Sequence, residues 1–163
     1  MLFENQGSFE LLFIKRATNL NDRWSGQIAF PGGKREDHDA TLLDTCLREV
    51  REEVGIELSV ADLVGSLGDI QARKHGQLLP FFIEPFVFVL EKQMALMAAV
   101  SEVEQTFWIS IDYLLNEKNQ TVYVFDRDGI KVSLPGILFP SGDILWGLTY
   151  MMLSDFLEKW RKL

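Results

Sequence analysis

Residues 48–56 read REVREEVGI. They close a stretch in which Leu43, Cys46, Leu47, Val50 and Val54 recur at spacings of three and four, the period of one helix face. The pattern predicts an amphipathic helix over residues 40–54, with Asp39 as N-cap and Gly55 as its stop. Glu49, Glu52 and Glu53 fall three and four apart, which stacks their carboxylates along one edge beside the apolar stripe. That end of a helix is its negative pole, where each acid costs roughly 0.3–1 kcal/mol. Two explanations fit. The patch is solvated, with Arg48 and Glu52 as an i, i+4 ion pair, or a cation sits there. Clustered carboxylate oxygens suit a hard divalent ion such as Mg²⁺.

Working outward, QIAFPGG reads as a short strand ending in a turn at Pro31, Gly32 and Gly33, where backbone could approach a ligand closely. Residues 9–17, FELLFIKRA, are apolar and suited to a strand, and the polar TNLNDRWSG follows as a loop. MLFENQ reads as the tail of a strand, with the expectation that a native chain begins earlier. Downstream, LVGSLGDI is strand-like, QARKHGQ a polar loop, and residues 81–90 one long buried strand. MAAVSEVEQ reads as a loop or turn leading into FWISI, and TVYVFDRDGIKVSL as a hairpin turning at Asp128-Gly129. Pro135 and Pro140 bracket a loop, and residues 143–160 form the last helix. The class expected is α+β, an αβα sandwich in a single domain spanning residues 1–163.

A chain of 163 residues suits one domain with a substantial core. A net charge of −8 argues against binding nucleic acid by electrostatics alone, so an anionic substrate needs local basic groups or metal ions. The one cysteine, Cys46, excludes an intramolecular disulfide and fits the cytoplasm or another reducing compartment. MLFENQGSFE lacks a basic region followed by an apolar run, so no signal peptide is expected. No uninterrupted apolar run is long enough for a bilayer, so no membrane partner is expected either.

With Gly33 added, residues 48–56 closely resemble the Nudix box, G-x5-E-x7-R-E-U-x-E-E-x-G-U, where U is aliphatic. Every position of the closing R-E-U-x-E-E-x-G-U matches. The interval from Gly33 to Arg48 is one residue longer than usual, and the early Glu is missing. Counting forward from Gly33 reaches Asp39, and counting back from Arg48 reaches Ala40. A lengthened box after FPGGK is similar to that of the coenzyme A pyrophosphatase-like branch. Its upstream signature, L-L-T-x-R-(S/A)-x3-R-x3-G-x3-F-P-G-G, is kept at Leu12, Arg16, Ala17, Gly26, Phe30, Pro31, Gly32 and Gly33. Ile14 replaces the Thr, one residue is added between Ala17 and Gly26, and the second Arg is Arg23.

The resemblance implies a Nudix-type fold with a mixed sheet and the catalytic helix packed beside it. It implies hydrolysis of a pyrophosphate bond in a nucleoside diphosphate joined to another group, with Mg²⁺ or Mn²⁺. Glu49, Glu52 and Glu53 would be metal ligands, and Arg48 would orient one of the carboxylates. Glu102 stands where many members carry a further acid, either ligand or general base. Glu104 competes for that role, and a solvated loop residue is the plain alternative. Gly32 and Gly33 would bring backbone N–H groups near the pyrophosphate. Arg16 and Arg23 are candidates for substrate phosphates, or are simply solvated. Arg73, Lys74 and His75 form a second basic cluster that borders the substrate or belongs to an ordinary loop. Trp24 stacks on a base or covers the core, Trp146 reads as core, and Cys46 reads as a small buried hydrophobe.

The substrate indicated is coenzyme A or a derivative, giving 3′,5′-ADP and 4′-phosphopantetheine. ADP-ribose, a dinucleoside polyphosphate or an oxidised dNTP is the alternative. A non-catalytic nucleotide sensor would be expected to have lost the box glutamates, which this chain keeps. An interaction protein with an acidic helix would show no divalent-ion effect. The expected partner is a nucleotide, with neither nucleic acid nor membrane, and a homodimer is compatible with the sequence.

Overall fold

Four consecutive apolar residues, Leu11, Leu12, Phe13 and Ile14, are buried along one strand, so both of its faces are covered. The computed structural model describes every residue except Asn21, Arg23, His75, Gly76, Gln93, Asp128 and Leu163. The strands run β1 (Leu2–Asn5), β2 (Ser8–Arg16), β3 (Ile28–Ala29), β4 (Leu63–Ser66), β5 (Ile70–Lys74) and β6 (Gln77–Ile83). Then come β7 (Phe86–Leu90), β8 (Val103–Ser110), β9 (Gln120–Arg127), β10 (Ile130–Leu138) and β11 (Ile144–Trp146). The helices are α1 (Leu42–Val54), α2 (Ile111–Leu115) and α3 (Gly147–Trp160).

The main sheet has the order β3-β2-β1-β7-β4, with β8 also paired to β2. It is mixed, because β1 runs parallel to β7 while its other pairs are antiparallel. On one face Leu12, Ile14, Phe88 and Val103 pack with Val50 and Val54 of α1. On the other, Leu11, Phe13 and Ile109 pack with Ile137, Phe139, Leu145 and Leu153 from the β9–β11 sheet and α3. Helices thus flank the sheet on both faces, which is the αβα sandwich expected.

Helix α1 starts at Leu42 and its N-cap is Thr41, not Asp39. Thr41 and Asp44 form a reciprocal capping box, and Asp39 is taken up elsewhere. Gly55 does end the helix, at φ 71°, and donates its N–H to the Arg51 carbonyl. The carbonyls of Glu53 and Val54 are met by the N–H groups of Ala99 and Met97. That docking fixes the segment leading to Glu102.

Several boundaries differ from expectation. LVGSLGDI is not one strand: β4 ends at Ser66 and β5 begins at Ile70. QARKHGQ is not all loop, since β5 and β6 pair across it as a two-stranded sheet of their own. Residues 81–90 divide at Glu84-Pro85 into β6 and β7, and β6 leaves Leu78, Phe81 and Phe82 substantially exposed. The tail of SEVEQ is strand, as β8 begins at Val103. The segment after Pro135 is strand too, because β11 pairs only Gly136, Ile137 and Leu138 and leaves Pro135 without a partner there to demand its missing N–H. Residues 144–146 are β11, so the last helix begins at Gly147 and not at Asp143. Trp146 is half-buried and stacks on Tyr123 at 4.1 Å, outside both core clusters. The expected β9–β10 hairpin is present, while Asp128 itself lies outside the described residues, as do Arg23 and His75.

Candidate active site

The site gathers where the end of β2, the Pro31-Gly32-Gly33 turn, the C-terminal half of α1 and the 97–103 segment meet. Glu53 sits deepest. Its side chain is 2 % exposed, and its Oε2 accepts the Gly32 N–H at 2.8 Å. Its Oε1 faces Nη1 of Arg16 at 3.7 Å. Burial pushes the Glu53 carboxyl up to about 7, against the pull of the Gly32 N–H, with Glu49 and Glu102 adding like charge. Glu49 is raised as well, by burial first, while Arg48 counters it and Glu52 and Glu102 add to it.

Gly33 is required by that crowding. A methyl group there would lie 2.3 Å from the Glu49 carboxyl carbon, so only a residue without a side chain leaves the carboxylate its place. Glu102 approaches from the 97–103 segment, its N–H bonded to the Ala99 carbonyl and its own carbonyl accepting from Ala17 N–H. Glu104, its competitor, is engaged by Lys15 at 3.0 Å, with Asp143 on the same ammonium at 3.2 Å. The structure thus sets Glu102 beside the carboxylates and turns Glu104 to an ion pair.

Arg48 organises the outer edge. Its Nε and Nη2 grip the two oxygens of Asp39 at 3.0 and 2.9 Å, and Nη1 reaches Glu49 and Glu52, both at 2.9 Å. Nη2 also donates to the Lys34 carbonyl at 3.2 Å, tying helix to turn. Asp39 is 3 % exposed, and it accepts from Thr45 Oγ1 and Glu36 N–H too. Arg48, with these hydrogen bonds, holds its carboxyl well below the usual range. Asp39 is the residue that sequence reasoning missed. Its neighbours suit it to a cap, yet it stands at the forward count from Gly33, and Arg48 is what claims it. Glu52 points outward, its side chain 48 % exposed and paired to Arg48.

Arg16 is in the site, and Arg23 lies outside the described residues. Trp24 is 38 % exposed and belongs to neither core. Cys46, on α1, packs against the core, and burial pushes its thiol up to about 11, away from nucleophilic use. The hollow lined by Asp44, Leu47, Arg48, Arg51, Glu57 and Leu58 contains none of the three box glutamates. Among the described residues no three acidic, His or Cys side chains converge in a metal-site grouping. The chemistry of Glu49, Glu52 and Glu53, with Glu102 close by, nonetheless fits a hard divalent cation: all are oxygen donors, and Glu49 and Glu53 are burdened by burial and by neighbouring like charge.

No described helix is long and apolar enough to cross a membrane. The sequence model of the NUDIX domain matches residues 1–129. The mouse (Mus musculus) mitochondrial coenzyme A diphosphatase NUDT8 is 32 % identical over 140 residues, which are 85 % of this chain and 65 % of that protein. The chain therefore spans just under two thirds of that relative's length. The uncharacterized Nudix hydrolase NudL of Yersinia pestis is 30 % identical over 149 residues, 91 % of this chain and 71 % of that protein. Among solved structures, a MutT/nudix family protein from Enterococcus faecalis superposes with a TM-score of 0.64 at 16 % identity, over 99 % of this chain and 59 % of that one. Fold, box and relatives converge on one statement: this chain belongs to the NUDIX family of hydrolases.

Proposed function

We propose that this chain hydrolyses the pyrophosphate bond of coenzyme A or a derivative, releasing 3′,5′-ADP and 4′-phosphopantetheine, with Mg²⁺ or Mn²⁺. One observation carries the catalytic part. Glu53 is a carboxylate buried at the end of α1 with a single N–H hydrogen bond among the described residues, Arg16 facing it only at 3.7 Å, and like charges beside it. Such a group calls for positive charge. Glu49, Glu52 and Glu53 would hold the metal, which supplies charge neutralisation and a water of lowered pKa. Arg48 orients Glu49 and Glu52 while Asp39 holds Arg48 itself. Glu102, adjoining Glu49 and Glu53, takes a proton from water or completes the ligand set. Arg16 offers its guanidinium to a substrate phosphate, and the Gly32-Gly33 turn brings backbone close to the pyrophosphate.

The substrate assignment rests on the likeness to the coenzyme A diphosphatase and on the lengthened box after FPGGK. A panel of coenzyme A, ADP-ribose, a dinucleoside polyphosphate and an oxidised dNTP, with Mn²⁺ titrated, tests it. Coenzyme A should have the highest kcat/KM. Comparable turnover of ADP-ribose would move the substrate class and leave the pyrophosphatase chemistry standing.

A further inference from the structure

Arg16 lies between two carboxylates, and it is bound by the more exposed one. Both Nε and Nη2 donate to Oδ2 of Asp22, at 3.0 and 2.8 Å. Towards Glu53 only Nη1 points, and 3.7 Å is an ion-pair distance beyond a hydrogen bond. A guanidinium fork matches a carboxylate, and attraction is stronger where the dielectric is low. In the structure the fork is taken by Asp22, and Glu53, the buried acid, has only the longer contact.

Asp22 is fixed independently of Arg16. Its Oδ1 accepts the Trp24 N–H at 2.9 Å, its own N–H donates to the Asn19 carbonyl at 3.0 Å, and its carbonyl accepts from Ser25 N–H at 3.1 Å. Arg16 is anchored by its backbone, which donates to the Gln27 carbonyl at 3.0 Å. The loop after β2 thus presents a preset carboxylate to the arginine at the strand's end. We propose that Asp22 is a positioning residue that holds the Arg16 guanidinium off Glu53, leaving Glu53 Oε1 to a divalent cation and so setting the affinity of the site for that cation. This rests on the assignment of Glu53 as a metal ligand made above.

Calorimetric titration of the full chain with Mn²⁺, without substrate, tests the proposal. Asp22→Asn keeps an oxygen for the Trp24 N–H but loses the charge that binds Arg16. It should weaken Mn²⁺ binding on the order of tenfold, the range seen when an outer partner of a metal ligand is lost. Asp22→Glu should restore affinity, which a merely structural role for the loop would not do. Arg16→Gln should bind Mn²⁺ at least as tightly as the parent, and adding Asp22→Asn to it should cost nothing more. Unchanged Mn²⁺ affinity in Asp22→Asn overturns the proposal, as does a loss that persists in the Arg16→Gln background. Glu53→Gln separates the two assignments. If the parent binds Mn²⁺ no more tightly than Glu53→Gln, the metal site itself is wrong and the Asp22 proposal falls with it. If Glu53→Gln abolishes binding that Asp22→Asn leaves intact, only the Asp22 proposal fails.

Discussion

At the scale of single residues, Glu53 bears an unfavourable burial that the rest of the fold tolerates. Its carboxylate is 2 % exposed, with one N–H hydrogen bond among the described residues and Arg16, held by Asp22, no nearer than 3.7 Å. An ionised group so placed costs stability unless opposite charge joins it. Glu53→Gln keeps an oxygen for the Gly32 N–H and removes the charge. In metal-free protein above neutral pH it should raise stability by about 1–3 kcal/mol. The same change should abolish the rise in Tm that Mn²⁺ gives the parent, and lower turnover by at least the roughly 10–100-fold that loss of an outer partner brings. Thermal melts with and without Mn²⁺, beside a turnover assay, check all three. Gly33→Ala acts differently. The added methyl meets the tip of the Glu49 side chain, which can swing aside, so stability should change by no more than about 0.5 kcal/mol. The carboxylate it displaces is the functional part, and misplacement on the ångström scale can cost about 10²-fold in turnover. A stable, slow Gly33→Ala protein is the expected result.

At the scale of elements, α1 is held at its start by two separate devices. Thr41 caps it, and Thr41→Ala should cost about 1 kcal/mol in urea denaturation while leaving Mn²⁺ affinity unchanged. Asp39 ties Arg48 to the turn that precedes the helix. Its folded-state carboxyl is held below the ordinary value, so the native state releases that proton more readily than the unfolded chain. The stability this contributes is present above about pH 4 and is lost as pH falls through that value and below it. Asp39→Asn should therefore narrow the gap to the parent as the pH is lowered, and the difference in melting temperature across an acid series measures it. The helix itself was legible in the sequence, because the apolar spacing and Gly55 are local signals. Its first residue was not. Asp39 suits a cap on local grounds, and what removes it is Arg48, nine positions along the chain. The TLLD pattern at residues 41–44 was the signal that would have found the cap. The glutamates were placed by motif alone, whereas the split between Glu102 and Glu104 needed the Lys15 ion pair, which only the tertiary structure brings together.

At the scale of the whole molecule, the class was legible from strand and helix patterns, and the fate of each apolar run was not. Residues 9–17 and 81–90 look alike in composition, yet β2 lies between two cores while β6 belongs to a two-stranded sheet of its own. Hydrophobicity does not say which faces are covered; the neighbouring strands decide that. Phe139 and Phe82 make the contrast measurable. Phe139 is 1 % exposed, with edge contacts to Phe13 at 5.2 Å and Phe107 at 5.5 Å. Phe139→Ala should cost about 3–5 kcal/mol in urea denaturation. Phe82 is 61 % exposed, so Phe82→Ser should change stability by about 0.5 kcal/mol or less. The Phe139 core lies across the sheet from α1, whose buried Val50 and Val54 belong to the other cluster. At temperatures where it remains folded, Phe139→Ala should therefore bind Mn²⁺ as the parent does. Equal stability losses from the two substitutions would mean that Phe82 is covered in solution and that the β5–β6 sheet is not the exposed element described. A Phe139→Ala protein that is folded but binds Mn²⁺ weakly would mean that the two faces of the sheet are coupled, and that the site depends on more than the elements gathered around α1.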